Sequence, residues 1–505
     1  MKRYICIHGH FYQPPRESPW TGQIERQPSA HPYHDWNERI TVECYEPNTK
    51  AKILDPAGKA EHIYNNYSRM SFDFGPTLLS WLEEKHPAVH DSIIEADRLS
   101  QANFSGHGSA MAQAYNHMIM PLADPRDKET QVMWGIRDFE YRFQRLPEGM
   151  WLPETAVDTE TLEVLARHGI RFTILAPRQA KRIRLAGRRW HEVSEQTLNT
   201  SRPYRCVLPS GQTIDIFFYH GPVSLAVAFE GLLHNGEHFA KRLKGAFPKS
   251  RRGNPLMHVA TDGESYGHHH KFGEMALAYA LYYIEKDRTT ELTVYGDYLQ
   301  KYPPKHEVEI IEFSSWSCAH GVERWRSNCG CNVGGNAQWN QKWRAPLREA
   351  LDWLRDKLVV VYEEAFSGSG CDPWVLRNEY IRHLLDPKNV TYQSLIPPEV
   401  RSKFSEGDFR EIFMLLEMQK FAMFMYTSCG WFFDDVSGIE AMQVLQYAAR
   451  AIELAKAVSG RDFEPGFIDK LKSARSNIKE KKDAAHLYKQ MIISQLRSMG
   501  KTSHA

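Results

Sequence analysis

The sequence predicts an α/β protein with a parallel sheet, open or closed into a barrel, followed by an all-α region. Through about residue 300, short strand-like runs alternate with helical runs, which is typical of parallel strands joined by helices. From Pro346 onward the pattern is helical only. A chain of 505 residues is also too long for one compact core, so more than one domain is expected.

Strand and helix signals alternate along the first region. The run RYICIHG is predicted as the first strand. Asp158 is predicted to cap a helix that ends near Gly169, because aspartate and glycine are favoured at these two helix ends. Further strands are predicted over IRFTIL, over PLMHVAT and, after the connector KYPPKHEVEI, over EIIEF.

Long amphipathic stretches fill the region after Pro346. APLREALDWLRDKLVVVYEEAF has proline near its start and SGSG after its end, as expected of a helix. Further helical patterns are VLRNEYIRHLL, REIFMLLEMQKFAMFMY, IEAMQVLQYAARAIELAKA and KDAAHLYKQMIISQLRSM. We therefore expect an α/β domain at residues 1–325 and a helical domain at residues 326–505.

Composition and charge exclude several classes of protein. Lys and Arg total 63 against 62 Asp and Glu, so the net charge of +1 provides no general field to attract nucleic acid. No stretch reaches the roughly 18 apolar residues of a membrane helix, and the N-terminal apolar run is too short for a signal peptide. The eight cysteines are few for this length, which indicates a reducing cytoplasm and no disulfide scaffold.

Polar clusters follow three of the predicted strands. They comprise His8, His10 and Gln13 after the first strand, Trp151 and Glu154 in GMWLPE, and Asp262 and Glu264 in TDGESYGHHH. Because catalytic residues of parallel α/β barrels lie at the carboxyl ends of strands, we expect these clusters to share one site. Two carboxylates from separate strands, beside histidines and aromatic residues, suit acid–base or covalent chemistry on a glycosidic bond.

Each cluster also has a structural interpretation when taken alone. Glu154 could cap the following helix, and His8 or His10 could be a hydrogen-bonded core histidine. The run His268–His270 could be a solvated turn or a metal site.

Taken together, these motifs resemble the conserved regions of glycoside hydrolase family 57, whose members act on α-glucans. IHGHFYQPP is similar to the first region of the family. SGHGSAMAQAYNHMIMPL is similar to the second, with His117 and Pro121 in matching places and Ser109 where the family usually has glutamate. FQRLPEGMWLPETAVD and HVATDGESYGHHH resemble the third and fourth regions. A looser match, MYTSCGWFFDDVSG, places Trp431, Asp434 and Asp435 in the fifth.

The resemblance implies an incomplete (β/α)7 barrel whose substrate cleft is completed by the helical domain, itself similar to a domain of unknown function found in some members. It implies a retaining mechanism with Glu154 as nucleophile and Asp262 as general acid/base, and no cofactor. The expected partner is an α-glucan or oligosaccharide substrate, with no nucleic acid and no membrane. Substrate contacts are expected from His8, His10, Gln13, His117, Trp151, Glu264, His268, Trp316, Trp431 and Asp434.

Alternatives remain at the level of activity. The sequence is compatible with hydrolysis and with glucan transfer. A metal-dependent polysaccharide deacetylase would instead use Asp262, His8, His10 or the run His268–His270 as zinc ligands. A degenerate family member would bind glucan without catalysis. The Trp-Leu-Pro-Glu motif and the presence of both carboxylates favour a glycosidase.

A separate group of soft ligands lies within SCAHGVERWRSNCGC. It contains Cys318, His320, Cys329 and Cys331. Four such ligands could hold zinc, but the one-residue gaps within each pair are not the usual zinc spacing. Loop cysteines without metal are therefore the default expectation.

Overall fold

The computed structural model describes residues 2–55, 57–249 and 253–502. In chain order the strands are β1 Arg3–Phe11, β2 Ala51–Leu54, β3 Ala60–Tyr64, β4 Ser71–Phe74, β5 Ala110–Gln113, β6 Met150–Trp151, β7 Phe172–Leu175, β8 Ala180–Leu185, β9 His191–Glu192, β10 Tyr204–Val207, β11 Thr213–Phe218, β12 Leu256–Asp262, β13 Thr290–Leu292 and β14 His306–Ile310.

Helices connect these strands and fill the C-terminal region. In chain order the α-helices are α1 Trp36–Ile40, α2 Glu46–Thr49, α3 Pro76–Lys85, α4 Pro87–Asn103, α5 Pro125–Phe143, α6 Thr159–Arg167, α7 Gly221–Phe229, α8 Gly236–Gly245, α9 Gly273–Glu285, α10 Tyr295–Lys301, α11 Arg344–Ala365, α12 Pro373–Glu379, α13 Ile381–Leu385, α14 Pro398–Arg401, α15 Glu406–Phe424, α16 Cys429–Phe432, α17 Ile439–Ser459, α18 Glu464–Leu471 and α19 Ala484–Thr502.

The main sheet is a curled row of parallel strands. β12, β1, β4, β5 and β6 pair side by side in this order, and every pair is parallel. A parallel bridge between Gly149 and Phe172 continues the row to β7, which pairs in parallel with β11. Among the described residues these strands form a row of seven, and β13 lies beside the start of β1. The predicted incomplete (β/α)7 barrel is confirmed.

The interior of this sheet positions the site. Along β1, alternate residues face the same side, so Tyr4 and Cys6 share a face with His8 and His10. Tyr4 and Cys6 pack in a buried apolar cluster with residues of other strands. The apolar cluster therefore fills the amino-terminal half of the barrel interior, and the two histidines emerge at its carboxyl end.

The remaining strands extend the sheet beyond β11. β10 pairs antiparallel with β11, and β14, β8 and β9 follow in that order. The predicted strand EIIEF is wrong in its bounds, because β14 ends at Ile310. Val308 and Ile310 are its buried residues, and the chain has left the sheet by Phe313, whose φ of 52° is outside the β region.

The helix after β6 begins and ends where the sequence predicts. The Asp158 side chain accepts a hydrogen bond of 2.9 Å from the backbone N–H of Thr161 at the start of α6. Gly169 follows the last turn with a φ of 81°, a conformation that glycine adopts without strain. Both helix ends are therefore confirmed.

Packing divides the chain into two compact units. The first contains Met1–Pro15, Glu25–Tyr115 and Asp138–Trp316 and holds the curled sheet. The second contains Arg16–Ile24, Asn116–Arg137 and Ser317–Ala505 and is mainly helical. The expected boundary after residue 325 is placed from the sequence pattern alone. By packing, two earlier segments of the chain also belong to the helical unit. No helix among the described residues combines the length and apolar character of a membrane span.

Candidate active site

Three parallel strands bring polar side chains to one edge of the sheet. In the pairing of β1 with β12, His10 lies opposite Asp262. In the pairing of β1 with β4, His10 lies opposite Asp73 and His8 opposite Ser71. Because the strands are parallel, these side chains all lie at the carboxyl ends, where catalytic residues of such barrels are found.

Asp73 binds both histidines of β1. His8 Nε2 lies 3.1 Å from Asp73 Oδ1, and His10 Nδ1 lies 2.8 Å from Asp73 Oδ2. Sequence reasoning missed Asp73, although a charged residue inside the buried run SFDF is a usable signal, because an unpaired charge is costly there. The aspartate fixes the orientation of both rings.

The two histidines differ in charge. Burial lowers the pKa of His8 and outweighs the opposing effect of Asp73. Burial also disfavours the charged form of His10, but Asp73, Asp262 and Glu264 together outweigh it and raise its pKa to about 8. His10 is therefore the positively charged member of the pair near neutral pH.

The indole ring of Trp151 packs against both histidine rings. His8 and His10 stack on it with ring centroids 5.0 and 4.9 Å away. The ring is fully buried, and Trp316 meets it edge-on at 5.0 Å. Trp151 therefore supports the two histidines, and the geometry gives no support to the expected stacking of its face on a sugar.

Glu154 lies on a strained turn directly after β6. It occupies the middle of the 3₁₀ turn Pro153–Thr155 with φ 58° and ψ 20°, and Thr155 has φ 50°. Left-handed backbone is unfavourable for both residues, most of all for the β-branched threonine. Such strain persists only where the surroundings enforce it, and it is concentrated at functional sites.

Two neighbours hold this turn in place. The backbone N–H of Trp316 donates to Glu154 O, and its indole Nε1–H donates to Glu154 Oε2, both at 3.0 Å. The buried Gln179 side chain donates to Thr155 O at 2.8 Å and accepts from the Thr155 hydroxyl at 2.8 Å. Gln179 was missed by sequence reasoning because nothing in its local pattern marks it.

Asp262 ends β12 in a different environment. It is the one exposed residue of its strand, yet protein surrounds it closely on the other sides. Loss of hydration is the main cause that raises its pKa to about 7, against the opposing charge of His10. The charges of Glu264, Glu154 and Asp73 raise it further, so Glu154 lies near enough to act on Asp262. Such a carboxyl can hold a proton near neutral pH.

Glu264 is buried beneath this edge. It accepts hydrogen bonds from the backbone N–H of Tyr12 at 3.0 Å and from the Tyr45 hydroxyl at 2.6 Å. Burial raises its pKa. These contacts bind it to the loop after β1 and to the segment before α2.

Two further expected sugar contacts lie in loops of the same unit. The Gln13 side chain is half-buried and donates to Tyr12 O at 3.0 Å. His268 Nδ1 lies 2.5 Å from Glu43 Oε2, and its ring meets Trp36 edge-on. The substrate roles of Gln13 and His268 stay predictions.

Gln113 is a further polar group that the sequence did not reveal. It ends β5 opposite Trp151 and is 1% exposed. Neither its amide nitrogen nor its amide oxygen has a hydrogen-bond partner among the described residues. A buried amide without partners at the carboxyl edge of the sheet is suited to a ligand hydroxyl.

The helical unit contains the other expected contacts. His117 is buried with φ 58°, and its Nδ1 lies 2.6 Å from Ser428 Oγ. Trp431 is fully buried, and its indole N–H donates to Arg344 O at 3.2 Å. Asp434 accepts from the backbone of Val333 at 3.0 Å. Trp431 thus packs as a core residue, and Asp434 caps a loop; their roles towards substrate stay predictions.

The helical unit contains a group of side chains that could hold a metal. In the described part of the chain, one group of metal-binding side chains has its ligand atoms within 4.8 Å of one another, namely Cys318, His320, Cys329 and Cys331. His8, His10, Asp262 and His268, the ligands expected of a deacetylase, form no such group.

Comparison with solved structures supports the fold. A maltose-forming amylase from Pyrococcus sp. ST04 superposes with a TM-score of 0.71 at 16% identity, over 93% of this chain and 82% of that one. A branching enzyme from Thermococcus kodakaraensis superposes with a TM-score of 0.56 at 15% identity, over 95% and 93% of the two chains.

Sequence comparisons identify the family. The alpha-amylase 1 of Dictyoglomus thermophilum is 28% identical over 103 residues, which are 20% of this chain and 14% of that protein. The model of a domain of unknown function, DUF3536, matches residues 339–504. The model described as glycosyl hydrolase family 57 matches residues 8–311, more than half of the chain. This chain therefore belongs to glycosyl hydrolase family 57.

Proposed function

We propose that this protein cleaves α-glucans with retention of anomeric configuration, with Glu154 as nucleophile and Asp262 as general acid/base. The observation that carries the proposal is the placement of Asp262 and Glu154 at the same edge of the sheet, at the end of β12 and after β6, and the raised pKa of Asp262, about 7, supports it. A proton donor near neutral pH beside a second carboxylate is what a double displacement requires.

In the first step Asp262 gives its proton to the glycosidic oxygen while Glu154 attacks the anomeric carbon. The bond to the leaving sugar breaks, and an ester joins Glu154 to the remaining glycosyl group. The Trp316 indole N–H, 3.0 Å from Glu154 Oε2, orients the carboxylate for this attack. We expect the two carboxyl groups to lie about 5–5.5 Å apart, as in retaining enzymes.

In the second step Asp262 acts as a base. Its carboxylate takes a proton from water or from a sugar hydroxyl, and the oxygen of that acceptor displaces Glu154 from the anomeric carbon. Both carboxyl groups then return to their starting states. Water as acceptor gives hydrolysis, and a sugar hydroxyl gives transfer.

Substrate hydroxyls would be bound by polar groups around the two carboxyls. Gln113 supports this role because its buried amide lacks partners among the described residues. His10 supports it as a charged donor held by Asp73 at 2.8 Å. The α-glucan class is proposed from the relatives, which are described as amylases and a branching enzyme.

The test is incubation with maltoheptaose followed by chromatography of the products. Shorter sugars alone would indicate hydrolysis, and longer and shorter sugars together would indicate transfer. Brief quenching with acid and mass spectrometry should find a glycosyl group on the peptide that carries Glu154. No product from any α-glucan, together with intact glucan binding by Glu154→Gln, would contradict the proposal and favour a non-catalytic binding protein.

A further inference from the structure

The helical unit contains a compact group of soft ligands that the proposed reaction does not use. We call Cys318, His320, Cys329 and Cys331 the Cys/His cluster. Their four candidate ligand atoms lie within 4.8 Å of one another. Cys318 is buried, Cys329 and Cys331 are half-buried, and His320 is exposed.

The distances within the Cys/His cluster match a tetrahedral metal site. Cys318 Sγ lies 3.9 Å from Cys329 Sγ and 3.7 Å from Cys331 Sγ, and Cys331 Sγ lies 3.6 Å from His320 Nδ1. With zinc–sulfur bonds of about 2.3 Å, the ligand atoms of a tetrahedral site are about 3.8 Å apart. A disulfide would need about 2 Å between two sulfurs. The spacing therefore fits four ligands around one ion.

The backbone explains how one-residue gaps can serve such a site. Gly330, between Cys329 and Cys331, has φ 83°, and this left-handed turn lets both sulfurs approach one point. The backbone amides of His320 and Arg324 hydrogen-bond to the Cys318 sulfur. Hydrogen bonds of this kind to the ligand atoms are common around metal sites, where they hold the ligands in place.

Buried arginines supply charge of the opposite sign. Arg344 is fully buried, and its Nη1 lies 3.0 Å from Cys331 O and 3.9 Å from Cys329 Sγ. Arg324 is 5% exposed and donates to Asn332 O at 3.3 Å. Burying a guanidinium is costly unless negative charge lies nearby. One zinc ion with three thiolates and a neutral imidazole carries a net charge of −1, which would add to the negative charge that Asp434 already supplies near Arg344.

We propose that the Cys/His cluster binds one Zn²⁺ in a closed structural site. Binding replaces three S–H protons with three zinc–sulfur bonds, adds a bond from His320 Nδ1, and releases three protons to solvent. Soft sulfur ligands favour zinc over calcium or magnesium, and four protein ligands leave no position for a reacting water. The site therefore holds the segment from residue 318 to 331 in place, and it departs from the expectation that the protein needs no metal.

The test is the metal content of the full-length protein, purified in reductant, supplied with one equivalent of zinc and then desalted. We expect about one zinc per chain in the wild type and a drop of roughly tenfold in Cys318→Ser and in Cys331→Ser. Cys371→Ser is the matched control, because Cys371 is a buried cysteine of the same unit outside the cluster. This variant should retain about one zinc per chain. Cobalt in place of zinc should give the intense visible bands of a tetrahedral thiolate site.

A second measurement needs no variant and therefore does not depend on whether the serine variants fold. A strong chelator should remove one zinc from the wild type and expose three additional thiols to a thiol reagent. The proposal is overturned if the wild type retains no more zinc than Cys331→Ser or if the chelator exposes no additional thiols. Iron in place of zinc would overturn it too, as would a disulfide between cluster cysteines in the unreduced chain. None of these readouts depends on glucan activity.

Discussion

Glu154 and Asp262 are two carboxyl groups of one sheet edge in opposite surroundings. Glu154 lies on a left-handed turn and accepts a hydrogen bond from the Trp316 indole. Asp262 ends a regular strand among other carboxylates, which add to the effect of burial and raise its pKa to about 7. Lost hydration and like charges favour the neutral form of Asp262. In the proposed mechanism, these different surroundings are what assign Glu154 as nucleophile and Asp262 as acid.

Replacing Glu154 is the strongest way to test this division. Glu154→Gln should lower kcat on maltoheptaose by on the order of 10⁴-fold or more, because the covalent intermediate cannot form. Glu160→Gln, an exposed change on α6, is the control and should be near neutral. Azide added to Glu154→Ala should give a glycosyl azide of inverted configuration; a retained configuration would reverse the two roles.

Replacing Asp262 should have the next largest effect. Asp262→Asn is expected to reduce kcat by about 10²–10⁴-fold, because the leaving oxygen loses its proton donor. In the wild type kcat/KM should fall as pH rises through about 7, since Asp262 then loses its proton, and the variant should lack this limb. Asp91→Asn, on an exposed residue, is the control. An unchanged alkaline limb in the variant would contradict the assignment.

The hydrogen bond to Glu154 can be removed with less damage. Trp316→Phe keeps an aromatic edge against Trp151 but removes the indole N–H, so kcat should fall about 10- to 100-fold. KM should change little, because the bond orients the nucleophile and does not bind substrate. Trp190→Phe is the control, because this half-buried ring packs under Arg182 and Arg184. A rise in KM with unchanged kcat would instead place Trp316 in substrate binding.

The smallest expected effect is a shift in a pH profile. Glu264→Gln keeps an oxygen acceptor for Tyr12 and Tyr45 but removes a negative charge that raises the pKa of Asp262. The alkaline limb of kcat/KM should therefore move to lower pH, while the maximal rate changes little. A limb that stays in place would mean that Glu264 carries no charge in the active enzyme.

The sequence alone identifies the site and helix-end residues that belong to local motifs. Asp262 and Glu154 could be placed at one sheet edge because each follows a buried strand and parallel strands share their carboxyl edge. Asp158 and Gly169 mark the ends of α6 for the same local reason. Alternating strands and helices predict a parallel sheet but do not decide between an open sheet and a barrel. The incomplete barrel is therefore predicted from the resemblance to a family.

The groups that sequence reasoning missed act across the fold. Asp73 binds histidines more than sixty positions earlier in the chain, and Gln179 binds the backbone of Thr155. Stacking of Trp316 on a sugar stays a prediction, whereas its hydrogen bond to Glu154, 162 positions away, had no signal in the sequence. No periodicity or spacing encodes such partners, because they arise only when strands distant in sequence become neighbours.

The left-handed backbone at Glu154 implies that this position trades stability for activity. Glycine has no Cβ to strain at φ 58°, so Glu154→Gly should unfold at higher temperature than the wild type, with a gain of about 1 kcal/mol. The same variant would lack the proposed nucleophile while keeping the proposed acid/base residue. Supplied with glycosyl fluorides as activated donors, this more stable variant would synthesise oligosaccharides that it can no longer hydrolyse.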